Sequence, residues 1–100
     1  MTALDELTLE QWARFATRLI IGRLVAGSLS QTAAQPEALV RRAVREATEL
    51  RRPPLPQQPE HEVRGIIEQA VVPLVVRSSI GPGPHVAMVL TAVVGAVIAA

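Results

Sequence analysis

Two histidines, His61 and His85, are the residues of this sequence best suited to metal binding or proton transfer. His61 lies between Glu60 and Glu62, so three adjacent side chains could each ligate a metal ion. Adjacent residues of a helix point in different directions, however, and a metal site needs ligands that converge from elsewhere in the fold. His85 has no second ligand at a suitable spacing. Cysteine is absent, which excludes thiolate metal sites, disulfides and cysteine nucleophiles.

The serines, threonines and glycines do not form a catalytic or phosphate-binding motif. Most of the hydroxyl residues fall near expected helix ends or turns, where they cap backbone groups. The glycine-rich stretch at residues 81–84 alternates glycine with proline, and proline lacks the backbone N–H that a phosphate loop supplies. We therefore expect a chain that is not an enzyme and that needs no metal or other cofactor.

All ten basic residues are arginines, and half of them lie between residues 41 and 52. Such a cluster is typical of sites for nucleic acid or anionic lipid. Glu37, Glu46 and Glu49 reduce the net charge of this region to about +2, and no aromatic residue lies nearby to stack on a base. Nucleic acid is therefore not expected as a partner. If the chain is anchored in a membrane, Arg51, Arg52 and Arg77 are the expected contacts to anionic headgroups.

The first helix is expected at residues 8–27, where apolar residues recur at helical spacing. Thr8 and Gln11 form a capping box at its start, and Leu7 and Trp12 stand where a hydrophobic staple belongs. The helix is expected to end near Gly27.

The second helix is expected at residues 36–52, with Pro36 in its first turn, where the missing N–H has no partner in any case. One face is apolar, which predicts that this helix packs on another element. The other face predicts ion pairs between residues four apart. These pairs are Glu37 with Arg41, Arg42 with Glu46, and Arg45 with Glu49.

A proline-rich segment at residues 53–59 separates the second helix from a third, expected at residues 59–77. Its prolines share one edge of a polyproline II helix, as in ligands of SH3-type domains, but the flanking arginines lack the usual spacing. We therefore favour a semi-rigid spacer. Pro73 and the β-branched residues around it predict a kink or break in the third helix, with a short strand at residues 71–76 as the alternative.

The last helix, expected at residues 84–100 after a Gly/Pro turn that begins at residue 78, contains no charged residue. Apolar residues surround it on all sides, so we expect it to be buried on every side, in lipid or in a protein core. Its length of about 25 Å is short for a hydrocarbon core of about 30 Å.

The position of the charges favours a membrane location with the N-terminal part cytoplasmic, because every arginine precedes the last helix. The alternative is a cytoplasmic protein with this helix as the core of a bundle. A secretory signal is not expected, since residues 1–6 are acidic where a basic segment should be.

Small residues at a spacing of four mark one side of the last helix, and they are the candidate helix-packing residues of this sequence. They are Ala87, Thr91, Gly95 and Ala99. Small side chains let two helix backbones approach closely, which favours self-association or docking on another helix.

The sequence thus predicts an all-α protein, with three amphipathic helices in residues 1–77 and an apolar helix in residues 78–100. These helices would form a bundle or a membrane-anchored array. The predicted function is that of a non-enzymatic interaction or assembly protein, membrane-associated through its last helix; a soluble oligomerisation or regulatory module is the alternative. The expected partners are another protein or a second copy, together with a lipid bilayer in the first case. No motif is specific enough to indicate a family.

Overall fold

The computed structural model describes residues 7–30, 35–78 and 83–99, with side chains throughout except at 28–30 and 83–84. Within these ranges the chain forms four helices: α1 (Leu9–Ser30), α2 (Pro36–Leu50), α3 (Glu60–Ser78) and α4 (Gly83–Ala99). The predicted all-α fold is confirmed. Predictions for residues 1–6 and for most of the Gly/Pro turn, residues 79–82, lie outside the described residues.

The capping box predicted at the start of α1 is confirmed. The backbone N–H of Gln11 donates to the hydroxyl of Thr8 at 3.1 Å, and the backbone N–H of Thr8 donates to Oε1 of Gln11 at 2.9 Å. Leu7 is half-buried and packs against the core that contains Trp12, as a hydrophobic staple requires.

The predicted end of α1 near Gly27 is wrong, because the helix continues to Ser30. Glycine serves a different purpose at this position. A Cβ atom built on Gly27 would lie 2.6 Å from Cδ1 of Leu39 in α2. The missing side chain therefore allows α1 and α2 to approach closely.

The proline spacer is free of helix, as expected, whereas α3 differs from the prediction at Pro73. Helix α2 ends at Leu50, two residues before its predicted end, and no helix is found in the predicted spacer before α3 begins at Glu60. Pro53 is buried while Leu55 is exposed. The helix α3 then runs without a break through Pro73, which lies on its exposed side. The predicted break and the alternative strand at residues 71–76 are both wrong, because the buried residues around Pro73, such as Val71 and Val75, hold this turn in the core.

The helices occupy the four corners of a bundle. Helix α1 packs on α2 and α3, and α4 packs on α3 and α2, whereas α2 and α3 do not pack on each other. Trp12 near the start of α1 contacts Arg51 after the end of α2, so these two helices are antiparallel. Helices α2 and α4 are parallel, because residues 37–41 border 87–92 and residues 45–52 border 96–99.

One hydrophobic core draws on all four helices, with Trp12 as its largest fully buried side chain. Helix α4 supplies four buried valines to it: Val89, Val93, Val94 and Val97. The bundle itself does not bury α4 on every side, because the opposite face of α4 is exposed. Most of that face consists of small residues, which reduces the cost of exposing it, although Ile98 is also 41% exposed there.

The described residues include no helix that is both long enough and apolar enough to cross a bilayer. The membrane-anchored arrangement predicted for residues 84–100 is not confirmed.

Candidate interaction surface

The exposed face of α4 contains all four candidate helix-packing residues. Ala87, Thr91, Gly95 and Ala99 are each exposed, as their spacing of four on one helix predicts for a common face. A Cβ atom built on Gly95 would meet nothing within 4 Å. The face therefore does not pack on α3 or on any other described helix.

A groove separates this face from α2. Three cavities, of about 310, 470 and 610 Å³, follow one another along the line where α2 and α4 meet. Met88 and Glu37 border the first two cavities, and Ala96 borders the third. The groove is open because alanines such as Ala92 and Ala96 occupy the side of α4 that faces α2, and they do not fill the space between the helices.

Exposed arginines line the α2 side of the groove. Arg41 borders the middle cavity, and Arg45 and Arg52 border the cavity next to the end of α4. None of these three side chains forms an ion pair with another described residue. Two acids, Glu37 and Glu49, border the same groove. The described charges along the groove therefore leave an excess of positive charge.

The ion pairs predicted along α2 are wrong, since the described residues contain no contact of this kind between Glu37 and Arg41, Arg42 and Glu46, or Arg45 and Glu49. Glu46 instead binds Arg23 of α1. Nη2 of Arg23 donates to Oε2 of Glu46 at 2.6 Å, and Nε donates to Oε1 at 3.1 Å.

This hydrogen bonding, and secondly the charge of Glu46, raises the pKa of Arg23. Glu46 thus pairs with an arginine of a neighbouring helix in place of the local Arg42, and the planar guanidinium of Arg23 contacts both carboxylate oxygens. Arg42 has no ion-pair partner among the described residues.

The three arginines predicted to contact anionic headgroups do not lie together. Arg51 and Arg52 follow the end of α2, whereas Arg77 lies in the last turn of α3. Helix α3 begins at the end of the bundle where α2 stops, so its length of about 27 Å separates Arg77 from the other two. Arg51 also lies over the ring of Phe15, with its Cζ atom 5.8 Å from the ring centroid.

The histidines occupy unrelated places in the bundle. His61 is exposed in the first turn of α3 with Glu60 and Glu62. His85 borders the first groove cavity together with Pro36 and Glu37, and its Nδ1 atom is buried without a hydrogen-bond partner among the described residues. Among the described residues, no three side chains of metal-ligating type converge on one point.

Comparison with known proteins gives no further guidance to the function of this surface. The chain matches no family model, and no curated protein and no solved structure is significantly similar to it.

The groove itself was not predicted from the sequence. The only signal for it is the pattern of alanines on the α2 side of α4, at residues 92 and 96, together with the arginines at 41, 45 and 52. That signal is visible only when α2 and α4 are known to be neighbours, and no local pattern specifies the pairing of two helices that are separated by α3.

Proposed function

We propose that this chain is a non-enzymatic interaction module that binds another α-helix along α4. The observation that carries the proposal is the orientation of α4. Its valines enter the core, and its small residues Ala87, Thr91 and Gly95 face outward. From Ala87 to Gly95 this face has only small side chains, which allow the backbones of two helices to come close, and Ile98, 41% exposed, adds an apolar side chain at its end.

The electrostatics of α4 support the same function. The helix has no charged residue, so nothing on its outer face must lose favourable hydration of a charge when a partner covers it. The centres of protein interfaces are depleted of charged residues for this reason. The groove beside α2 extends the uncharged face and adds depth to it.

A photoreactive crosslinker at position 95 tests the proposal. We replace Gly95 with p-benzoylphenylalanine in the organism that makes the protein, and Gly22 in α1 serves as the matched control. Both glycines are exposed in the interior of a helix, and a Cβ atom built on either would meet nothing within 4 Å. Irradiation is expected to give a discrete protein adduct from position 95 and none from position 22.

The mass of the adduct distinguishes the partners. An added mass equal to one chain identifies a second copy, and any other protein mass identifies a different partner. A lipid adduct alone would show that this face contacts a bilayer and would contradict helix binding. Equal yields from the two positions, or no adduct from position 95, would also contradict it.

A further inference from the structure

The two walls of the α2/α4 groove differ in charge, and this difference limits what can bind there. Arg41 and Arg45 line the wall formed by α2, while Thr91 and its neighbours on α4 form an uncharged wall. A ligand that fills the groove must therefore be acidic on one side and uncharged on the other. A helix with apolar residues along its base and acids on one flank has this distribution.

The dimensions of the groove suit a short helix. From Met88 to Ala99 the floor rises about 17 Å along α4, which corresponds to about three helical turns. The floor is apolar, since Val40, Ala92 and Ala96 line it. Apolar anchors of a bound helix would be removed from water here, at spacings of three and four residues.

The groove carries a small excess of positive charge, from Arg41, Arg45 and Arg52 against Glu37 and Glu49. Both acids border the groove, but along α2 they lie outside the segment from Arg41 to Arg45. Both arginines lack an ion pair among the described residues. Two acids one turn apart on a bound helix would match them.

The described helices of a second copy do not provide such a ligand. The exposed face of α1 is basic, with Arg14, Arg18 and Arg23 against Glu10 alone. Helix α3 exposes several acids, but its only large exposed apolar residue is Val76 near its end. The charge pattern therefore favours a helix of a different protein.

We propose that the α2/α4 groove binds an amphipathic helix of another protein, with its acidic flank against Arg41 and Arg45. This rests on the proposed function and specifies the chemistry of the partner. The uncharged face of α4 contacts the opposite flank of the bound helix, where Thr91 and Gly95 leave room for its backbone.

Two synthetic helices test the charge preference. Both are stapled peptides of about twelve residues, or about three helical turns, with the same leucine stripe; one has glutamates along one flank and the other has lysines there. Binding of each labelled peptide to the full chain is measured by fluorescence anisotropy. We expect the glutamate peptide to bind at least about fivefold more tightly, since exposed charge pairs contribute a few-fold in affinity each.

Reversing the charge of Arg41 tests whether the acidic flank of the peptide binds at this arginine. Arg41→Glu is expected to weaken the glutamate peptide about threefold to fivefold and to strengthen the lysine peptide by a similar factor. Arg18→Glu on α1 makes the same change in net charge at an exposed residue without a described ion pair, and it should leave both affinities unchanged. Equal losses in the two variants would overturn the proposal, because they would show attraction to the whole basic chain.

A bulky substitution in the groove distinguishes helix binding in general from selectivity for an acidic helix. Thr91→Trp is expected to weaken binding at least tenfold, whereas Gln69→Trp on the exposed side of α3 should not. If Thr91→Trp blocks both peptides but glutamate and lysine bind equally, helix binding stands and acidic selectivity is overturned. If neither peptide binds, or if vesicles of phosphatidylglycerol bind in an Arg41-dependent manner instead, the groove proposal is overturned, and the crosslink at position 95 decides the proposed function independently.

Discussion

The indole Nε1 of Trp12 donates a hydrogen bond of 2.7 Å to the backbone carbonyl of Arg51. Trp12 is fully buried near the start of α1, and Arg51 is the first residue after α2. The bond therefore joins the core to the point where the chain leaves α2 and enters the proline spacer. The side chain of Arg51 returns over Phe15, one turn further along α1, and covers the same junction.

Trp12→Phe removes this hydrogen bond and part of the largest core side chain. We expect the free energy of unfolding to fall by about 1–3 kcal/mol, from the lost donor and from incomplete filling of the site. Urea unfolding followed by circular dichroism measures the effect. Phe15→Leu, which changes a half-buried ring one turn away, should cost less. An unchanged midpoint for Trp12→Phe would show that the junction does not depend on Trp12.

Alanine substitution of two glycines tests the close approach of α1 and α2. Gly22→Ala is expected to stabilise the protein by about 0.5–1 kcal/mol, because alanine favours the helix and its Cβ meets no atom within 4 Å. Gly27→Ala should gain less, since Leu39 must move away from the new Cβ. In a Leu39→Ala background, which removes the obstructing Cδ1, Gly27→Ala should gain as much stability as Gly22→Ala does in the original chain. Thermal unfolding of the four variants measures this. Equal gains at both glycines would contradict the close approach.

Loss of the capping box should destabilise α1. Thr8→Ala leaves the backbone N–H of Gln11 without its acceptor, and we expect a cost of about 1 kcal/mol. Thr48→Ala is the control, because its hydroxyl donates only to the carbonyl of Val44 within α2. The thermal midpoint should fall for the first variant and stay nearly constant for the second. A fall of equal size in both would point away from capping as the cause.

Replacing a buried and an exposed residue of α4 by alanine should change the free energy of unfolding by very different amounts. Val93 is fully buried, so Val93→Ala is expected to cost about 1–3 kcal/mol through lost burial and a residual cavity. Ile98 is 41% exposed, so Ile98→Ala should cost clearly less. Chemical denaturation of both variants provides the comparison. Similar small effects at the two positions would mean that α4 is not part of the folded core.

The helices themselves were largely predictable because their signals are local. Thr8 and Gln11 lie three residues apart, and Pro36 acts on its own turn, so both helix starts follow from the sequence. The end of α1 was not predictable, because glycine is typical both of a helix end and of close helix packing. Only the position of Leu39 on the neighbouring helix shows which applies to Gly27.

The candidate surface was predictable only in part. The spacing of Ala87, Thr91 and Gly95 identified a common face, but no local pattern indicates whether such a face points inward or outward. The ion pairs of α2 were predicted wrongly for a similar reason. The local partner Arg42 competes with Arg23 of α1 for Glu46, and the tertiary fold decides the outcome in favour of Arg23.

The proline spacer also affects how the two helical hairpins of the bundle associate during folding. Helices α1 and α2 form one hairpin, α3 and α4 form another, and residues 52–59 can span about 25 Å as polyproline II. Because α1 and α4 also pack on each other, α2 and α3 lie at the ends of the longer diagonal of the bundle. This diagonal is about 17 Å for helices about 10 Å apart, so the spacer exceeds the distance it must bridge. It therefore acts as a tether that keeps each hairpin at a millimolar effective concentration around the other. Cleavage at Leu55, which is 73% exposed, would turn the folding of this protein into a bimolecular association that weakens on dilution.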